Sequence, residues 1–339
     1  MPATDTPAPE PFATDRRRLD GHVHLVGNGL SGSGCRLRVR GFWHRSLAAL
    51  MLRSIGLKVR GLADPGFDRA YVDLLDRCLR ESSLDGIALL AQDEVYRADG
   101  TVMEGVGAFY LPNEYLFDVC RDRPGFLPVA SIHPARPDAL EELERCLDAG
   151  AVMLKLLPNC HNVDPAEPRY RPFWRRMAEA GLPLLAHTGS EYTLPVVAPE
   201  FEDPRTLAPV LDAGVTVIAA HGATSSTPWK TDYLDELIGM MRRHPNLYAD
   251  TSAWNAGIRG RHARRCIGSE IESRLVHGSD FPVPVQALPA LLMGHVGWRD
   301  FLAAWRQRNP LERDAWLKHA TGFKPDHFTR INQLLRPAA

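Results

Sequence analysis

Eight short apolar runs, separated by stretches that carry a helical apolar stripe, set the tightest limit on what this chain can fold into. The runs are 19–25, 86–91, 127–132, 151–156, 182–187, 215–221, 247–252 and 275–280. Several, such as VTVIAAH at 215–221, are almost continuously apolar, which suits strands buried on both faces of a parallel sheet. Between the runs, DRAYVDLLDRCLRES puts Tyr71, Leu74, Leu75, Cys78 and Leu79 on one helical stripe. In DALEELERCLDAG, Asp138 is the expected N-cap, Leu140, Leu143 and Leu147 are expected to face one way, and Gly150 to end the helix. PFWRRMAEAG offers Phe173, Trp174 and Met177 to a core, and YLDELIGMMRRHPN stops at Pro245. Eight rounds of strand then helix predict a (β/α)8 TIM barrel, because eight parallel strands close. The alternative, an open doubly wound sheet, is weakened because no Gly-x-Gly-x-x-Gly follows any strand.

Two regions depart from a minimal barrel, so a distorted one is expected. Residues 26–64 form an insertion after strand one. It opens with GNGLSGSG, read as flexible, and contains WHRSLAALMLRSIGLKVRG, a basic amphipathic piece suited to a lid or an oligomer contact. From Pro310 onward extra C-terminal helices are expected. Residues 1–18 read as a disordered tail, Pro- and Ala-rich and then basic, and 19–339 as one barrel domain.

Bulk properties narrow the function classes. The 339 residues are 45% hydrophobic with a formal net charge of −1. No global field favours nucleic acid or an anionic membrane, and no apolar run is long enough to span a bilayer. The N-terminal residues lack the apolar segment of a secretory signal, and the six cysteines are widely spaced with no Cys-x-x-Cys pair. A cytoplasmic, reducing compartment is the expectation, with a small molecule as partner and a homodimer as the default assembly.

The polar residues then fall into a pattern. His22 and His24 lie two apart on strand one, so they project to the same face, and imidazole pairs of this kind bind divalent ions, zinc above all. Lys155, His187, His221 and Asp280 each sit at the end of a buried run, where the strands of a barrel converge on one mouth. Any one of them has a plain structural reading; five strands agreeing do not. His277 is three residues before Asp280 and is expected to face away, while His44, His244, His262, His295, His319 and His327 are expected to be solvated. His161, in the loop after Lys155, is a candidate for touching substrate or metal. Loop residues Tyr192 and Trp254 are candidates to pack a ring, and Arg259 or Arg261 to pair with a carboxylate.

This constellation resembles the amidohydrolase superfamily of metal-dependent hydrolases: His-x-His on strand one, Lys on strand four, His on strands five and six, Asp on strand eight. The segments LDGHVHL, LLAHTGSE and LVHGSDFP look like the amidohydrolase-related branch, which also holds metal-dependent decarboxylases. The resemblance implies that His22, His24 and Asp280 bind the buried metal and that Asp280 shuttles a proton. In binuclear members a carboxylated strand-four lysine bridges two metals, a position matched by Lys155, with His187 and His221 on the second ion. In mononuclear members the strand-five histidine, here His187, joins the first metal and the strand-six histidine, here His221, polarises substrate or water. A bound metal lowers the pKa of water from about 15.7 toward about 7. The expected activity is hydrolysis of an amide, lactam, lactone or ester by metal-activated water. A metal-dependent decarboxylation or C–C cleavage, a phosphoesterase and a non-catalytic metal-binding scaffold are the alternatives.

Overall fold

A computed structural model describes residues 16–39, 42–57 and 59–337. All eight apolar runs become strands: β1 Leu19–His24, β2 Gly86–Leu90, β3 Phe126–Ala130, β4 Met153–Leu156, β5 Leu184–Ala186, β6 Val217–Ala219, β7 Leu247–Asp250 and β8 Leu275–Val276. They pair in parallel, in chain order, as one eight-stranded sheet. The ring shuts between the segment after β8 and β1, where Gly21 N–H donates to His277 O at 2.9 Å, Asp280 N–H to His22 O at 2.9 Å and His24 N–H to Phe281 O at 2.8 Å. The result is a nearly closed TIM barrel. The strands are shorter than the apolar runs because the last residues of several runs leave the ladder to build the mouth.

One face of each strand fills the barrel and the other meets the helices. Ala88, Leu90, Val129, Met153, Leu185, Ile218 and Val276 form the interior cluster. Leu154, Leu184, Ala186, Val217, Ala219 and Ala249 face outward onto Phe173, Trp174 and Met177 of helix Arg171–Glu179 and its neighbours. Ile331, Leu334 and Leu335, near the end of the chain, pack into the interior cluster and floor the barrel.

Some local expectations need correcting. Asp138 precedes helix Ala139–Asp148 but its side chain does not cap it, because Arg136 takes the carboxylate at 2.9 Å. Leu140 is exposed, and the buried stripe is Ala139, Leu143, Cys146 and Leu147. The GNGLSGSG loop is pinned: Asp68 accepts from Asn28 N–H at 2.6 Å and from the Ser31 and Ser33 hydroxyls. Within the insertion, Leu52, Ile55 and Leu57 are buried in a cluster with Phe67 and Tyr71, so this part is docked on the barrel. His295 and His327 are buried, not solvated; His327 bridges Thr251 Oγ1 at 3.0 Å and Leu275 O at 3.2 Å. Most of the proposed N-terminal tail, residues 1–15, and the His44 side chain lie outside the described residues. Among the described residues, no helix is long and apolar enough to cross a membrane.

Candidate metal centre

Strand periodicity carries the polar side chains to the mouth. Met153, Leu185, Tyr248 and Val276 point into the barrel. Two residues further along the same direction come Lys155, His187 and Asp250, and four further Asp280. His221 breaks this parity, since Ala220 is the interior residue there. It reaches the mouth by a left-handed backbone, φ 62°, and Asp280 is left-handed as well, φ 69°. Such a conformation costs on the order of 1–3 kcal/mol at a residue with a side chain. Here hydrogen bonds hold it: His221 N–H donates to Asp250 Oδ1 at 2.7 Å, and His221 O accepts from the Trp254 indole at 2.9 Å. Gly278 is required for close approach, because a Cβ there would lie 2.8 Å from His22 Cβ and 3.4 Å from Asp250 Oδ2.

His22 and His221 are gripped from behind. His22 Nδ1 donates to Asp250 Oδ2 at 2.7 Å. The Ser252 hydroxyl donates to Asp250 Oδ1, so it accepts from His221 Nδ1 at 2.8 Å, with Ser252 O at 3.2 Å beside it. His187 Nε2 has no hydrogen-bond partner and faces Glu191 Oε2 at 3.6 Å. Asp250 and Ser252 fix the tautomers of His22 and His221, whose Nε2 lone pairs face the centre, whereas His24 Nδ1 has no hydrogen-bond partner either.

There, acceptors confront acceptors. His22 Nε2 lies 3.2 Å from Asp280 Oδ1, and His24 Nε2 lies 3.3 Å from both. His221 Nε2 meets His187 Nδ1 at 3.1 Å. Lys155 Nζ stands 3.3 Å from His22 Nε2. Lone pairs pressed together need a proton or a cation between them. Protons are disfavoured: burial, reinforced by Lys155 and its neighbours, pushes His22 well below the ordinary imidazole value, and burial drives His221 down likewise and His187 to about 3. A divalent ion fits the donor set. Among the described residues, His22, His221 and Asp280 each bring one ligand atom within 4.8 Å of one another.

The family model for amidohydrolases matches residues 20–291. The chain belongs to the amidohydrolase family. Members of this superfamily are enzymes that use divalent metals. Similar solved structures include a TIM-barrel protein from Bordetella bronchiseptica described as uncharacterized, 18% identical, with TM-score 0.56, covering 90% of this chain and 99% of that one. A second, from Pseudomonas putida, carries an unconfirmed description as a 2-pyrone-4,6-dicarboxylic acid hydrolase and is 14% identical, with TM-score 0.52, covering 91% and 99%. The Metarhizium anisopliae IDCase in its apo form is 14% identical, with TM-score 0.51, covering 94% and 98%. At these identities the likeness is one of fold. No curated protein sequence matches the chain.

In this amidohydrolase the remaining candidates take varied places. His161 is buried, its Nε2 accepting from the Gln92 amide at 2.7 Å, and both line a narrow cleft with Glu94, Phe109, Cys160 and Leu194. Phe109 stands edge-on to His24, ring centroids 6.3 Å apart, which places the cleft beside the metal centre. Tyr192 is 45% exposed, its hydroxyl bonded to Thr227 Oγ1. Trp254 is buried in the outer core behind His221. Arg259 is buried, with its two terminal nitrogens on Thr224 O at 2.8 Å and Ser190 O at 2.7 Å, and Arg261 pairs with Asp232. The structure thus brings His22, His24, Lys155, His187, His221 and Asp280 together and leaves Tyr192 at the rim. His277 faces away as expected, toward Asp20 and Asp314. Sequence reasoning missed Asp250 and Ser252, although both lie in the run 247–252 and are spaced two apart like His22 and His24.

Proposed function

We propose that this amidohydrolase hydrolyses an amide, lactam, lactone or ester of a small molecule. One observation carries the reading: Asp280 Oδ1 sits among imidazole lone pairs at the mouth, 3.2 and 3.3 Å from His22 and His24. A bound divalent ion, expected to be zinc, would supply Lewis acidity and an acidified water. His22, His24 and Asp280 would hold it, joined by His187. Asp280 takes the proton from the attacking water and hands it to the leaving group, a role worth about 10²–10⁴-fold in rate. His221, fixed as the Nδ1–H tautomer by Ser252, keeps its Nε2 lone pair toward the centre. Substrate would bind at the mouth beside Phe109 and His161 with Tyr192 at the rim, while Trp254 and Arg259 would support the site from behind, through His221 O and through the Thr224 and Ser190 carbonyls. Lys155 sets the metal count: carbamylated, it gives a second ion with His187 and His221; as a free amine, it leaves one.

The test is metal analysis of the purified protein together with turnover of a lactone, amide and ester panel before and after chelation. Stoichiometric metal and activity that returns on adding zinc are expected. Metal-free protein with undiminished activity would sink the proposal. A second reading, decarboxylation of an aromatic or unsaturated carboxylate, is favoured by the decarboxylase-like segments LDGHVHL, LLAHTGSE and LVHGSDFP. Carbon dioxide release from a panel of such acids, with no hydrolysis, would select it.

A further inference from the structure

The helices after β8 carry apolar surface that the fold does not use. On helix Ala287–Leu292, Leu288 and Leu292 are 48% and 76% exposed; on helix Trp298–Arg306, Trp298 and Trp305 are 62% and 66% exposed. These residues are contiguous. Leu288, Leu292 and Trp305 line one open groove with Val285 and Arg313. Trp298 is linked to Trp305 through Phe301, with ring centroids 5.1 and 5.9 Å apart. Residues 298, 302 and 305 follow one helical stripe, so the face has a groove at one end and a projecting indole about 10 Å away.

The groove selects its occupant by shape. Its lining has no carboxylate, and its one cation, Arg313, is engaged with Gln307 O at 2.9 Å. With on the order of 200 Å² for an exposed indole, the four side chains leave on the order of 500 Å² of apolar surface on each chain. Two such faces together bury up to about 1,000 Å², enough for a dimer of the weaker, micromolar class. The feature that matches the groove is the indole on the same face. We infer that this face is a two-fold contact between two copies of the chain. The two Trp298–Arg306 helices pack antiparallel, and Trp298 of each copy enters the groove beside Trp305 of the other. In such a contact each residue meets its counterpart reciprocally, which an antiparallel helix pair satisfies.

Sedimentation velocity on the full chain, from low to high micromolar, tests this. The wild type is expected to be a dimer. L292D and W305D are expected to raise the dissociation constant at least tenfold, whereas L30D, on an exposed leucine elsewhere, leaves it unchanged. Leu302 is partly exposed and lies next to the two-fold axis, so L302C is expected to form a disulfide-linked dimer on mild oxidation. The six native cysteines are buried and do not interfere. A monomeric wild type, or a dimer unaffected by L292D and W305D, overturns the inference. Should the charge variants fail to fold, the crosslink decides, and folded L302C that does not crosslink overturns it. None of these residues touches the metal centre, so the outcome is independent of the catalytic reading.

Discussion

Two buried clusters of histidine, carboxylate and lysine share strands β1 and β8, and they are built on opposite principles. At the mouth, His22, His24, His187, His221 and Asp280 turn acceptors toward one another. Beneath it, Asp314 and Lys318 are already matched, while both ring nitrogens of His277 and Asp20 Oδ2 have no hydrogen-bond partner. Lys318 Nζ donates to Asp314 Oδ2 and to Gly278 O, both at 2.5 Å, and the Asn255 amide donates to Asp314 Oδ1 at 2.8 Å. Asp20 Oδ1 accepts from the backbone of His22 at 3.1 Å and of Ser279 at 2.8 Å, and burial lifts its pKa to about 7, so a proton can neutralise it. Residue types therefore do not mark a metal site. Acceptors that converge on one point do, even with Lys155 Nζ 3.3 Å from His22 Nε2.

Four substitutions can break or sharpen this contrast. The largest effect is expected from Asp280→Asn, which removes the proposed proton carrier. Turnover should fall about 10²–10⁴-fold while the melting transition is kept, and near-normal kcat would remove Asp280 from the chemistry. Lys318→Met strikes the lower cluster. Leaving the Asp314 carboxylate buried without its cation should cost about 3–5 kcal/mol of stability, read from the urea midpoint. Metal stoichiometry of the folded protein should not change; metal loss would show that the two clusters act as one. Asp250→Asn loosens His22 without touching the centre, and metal affinity measured against a competing chelator should drop about 10–100-fold. Glu191→Gln should weaken affinity only about threefold, because Glu191 stands 3.6 Å from His187 where Asp250 stands 2.7 Å from His22. A loss equal to that of Asp250→Asn would mean that these distances do not rank the supports.

Much of this was legible in the sequence because two periodicities suffice for it. Apolar runs announce the strands, and parity along a strand aims His22, His24, Lys155 and His187. Other residues escaped for identifiable reasons. Asp250 obeys the same parity but carries no imidazole to draw attention. His221 reaches the site by a left-handed turn, which strand parity does not describe. Arg259 reads as a free loop cation until the chain is folded, when two carbonyls from different loops claim its guanidinium. His327 sits in a helical segment that looks peripheral, yet the segment docks on β8 and buries it. Such cases depend on which loops become neighbours, and one-dimensional spacing does not encode that.

Gly21, on the first strand, has a consequence for the order of assembly. A Cβ at this position would lie 2.2 Å from Ile331 Cδ1, so the first strand keeps a vacant notch for a side chain made after all eight strands. During synthesis the strands can align and the metal ligands can gather while the interior is still open below. Sealing waits for residues 331–335 and is a long-range closure, the kind of contact that forms slowly. The nascent barrel is a cup that acquires its base last.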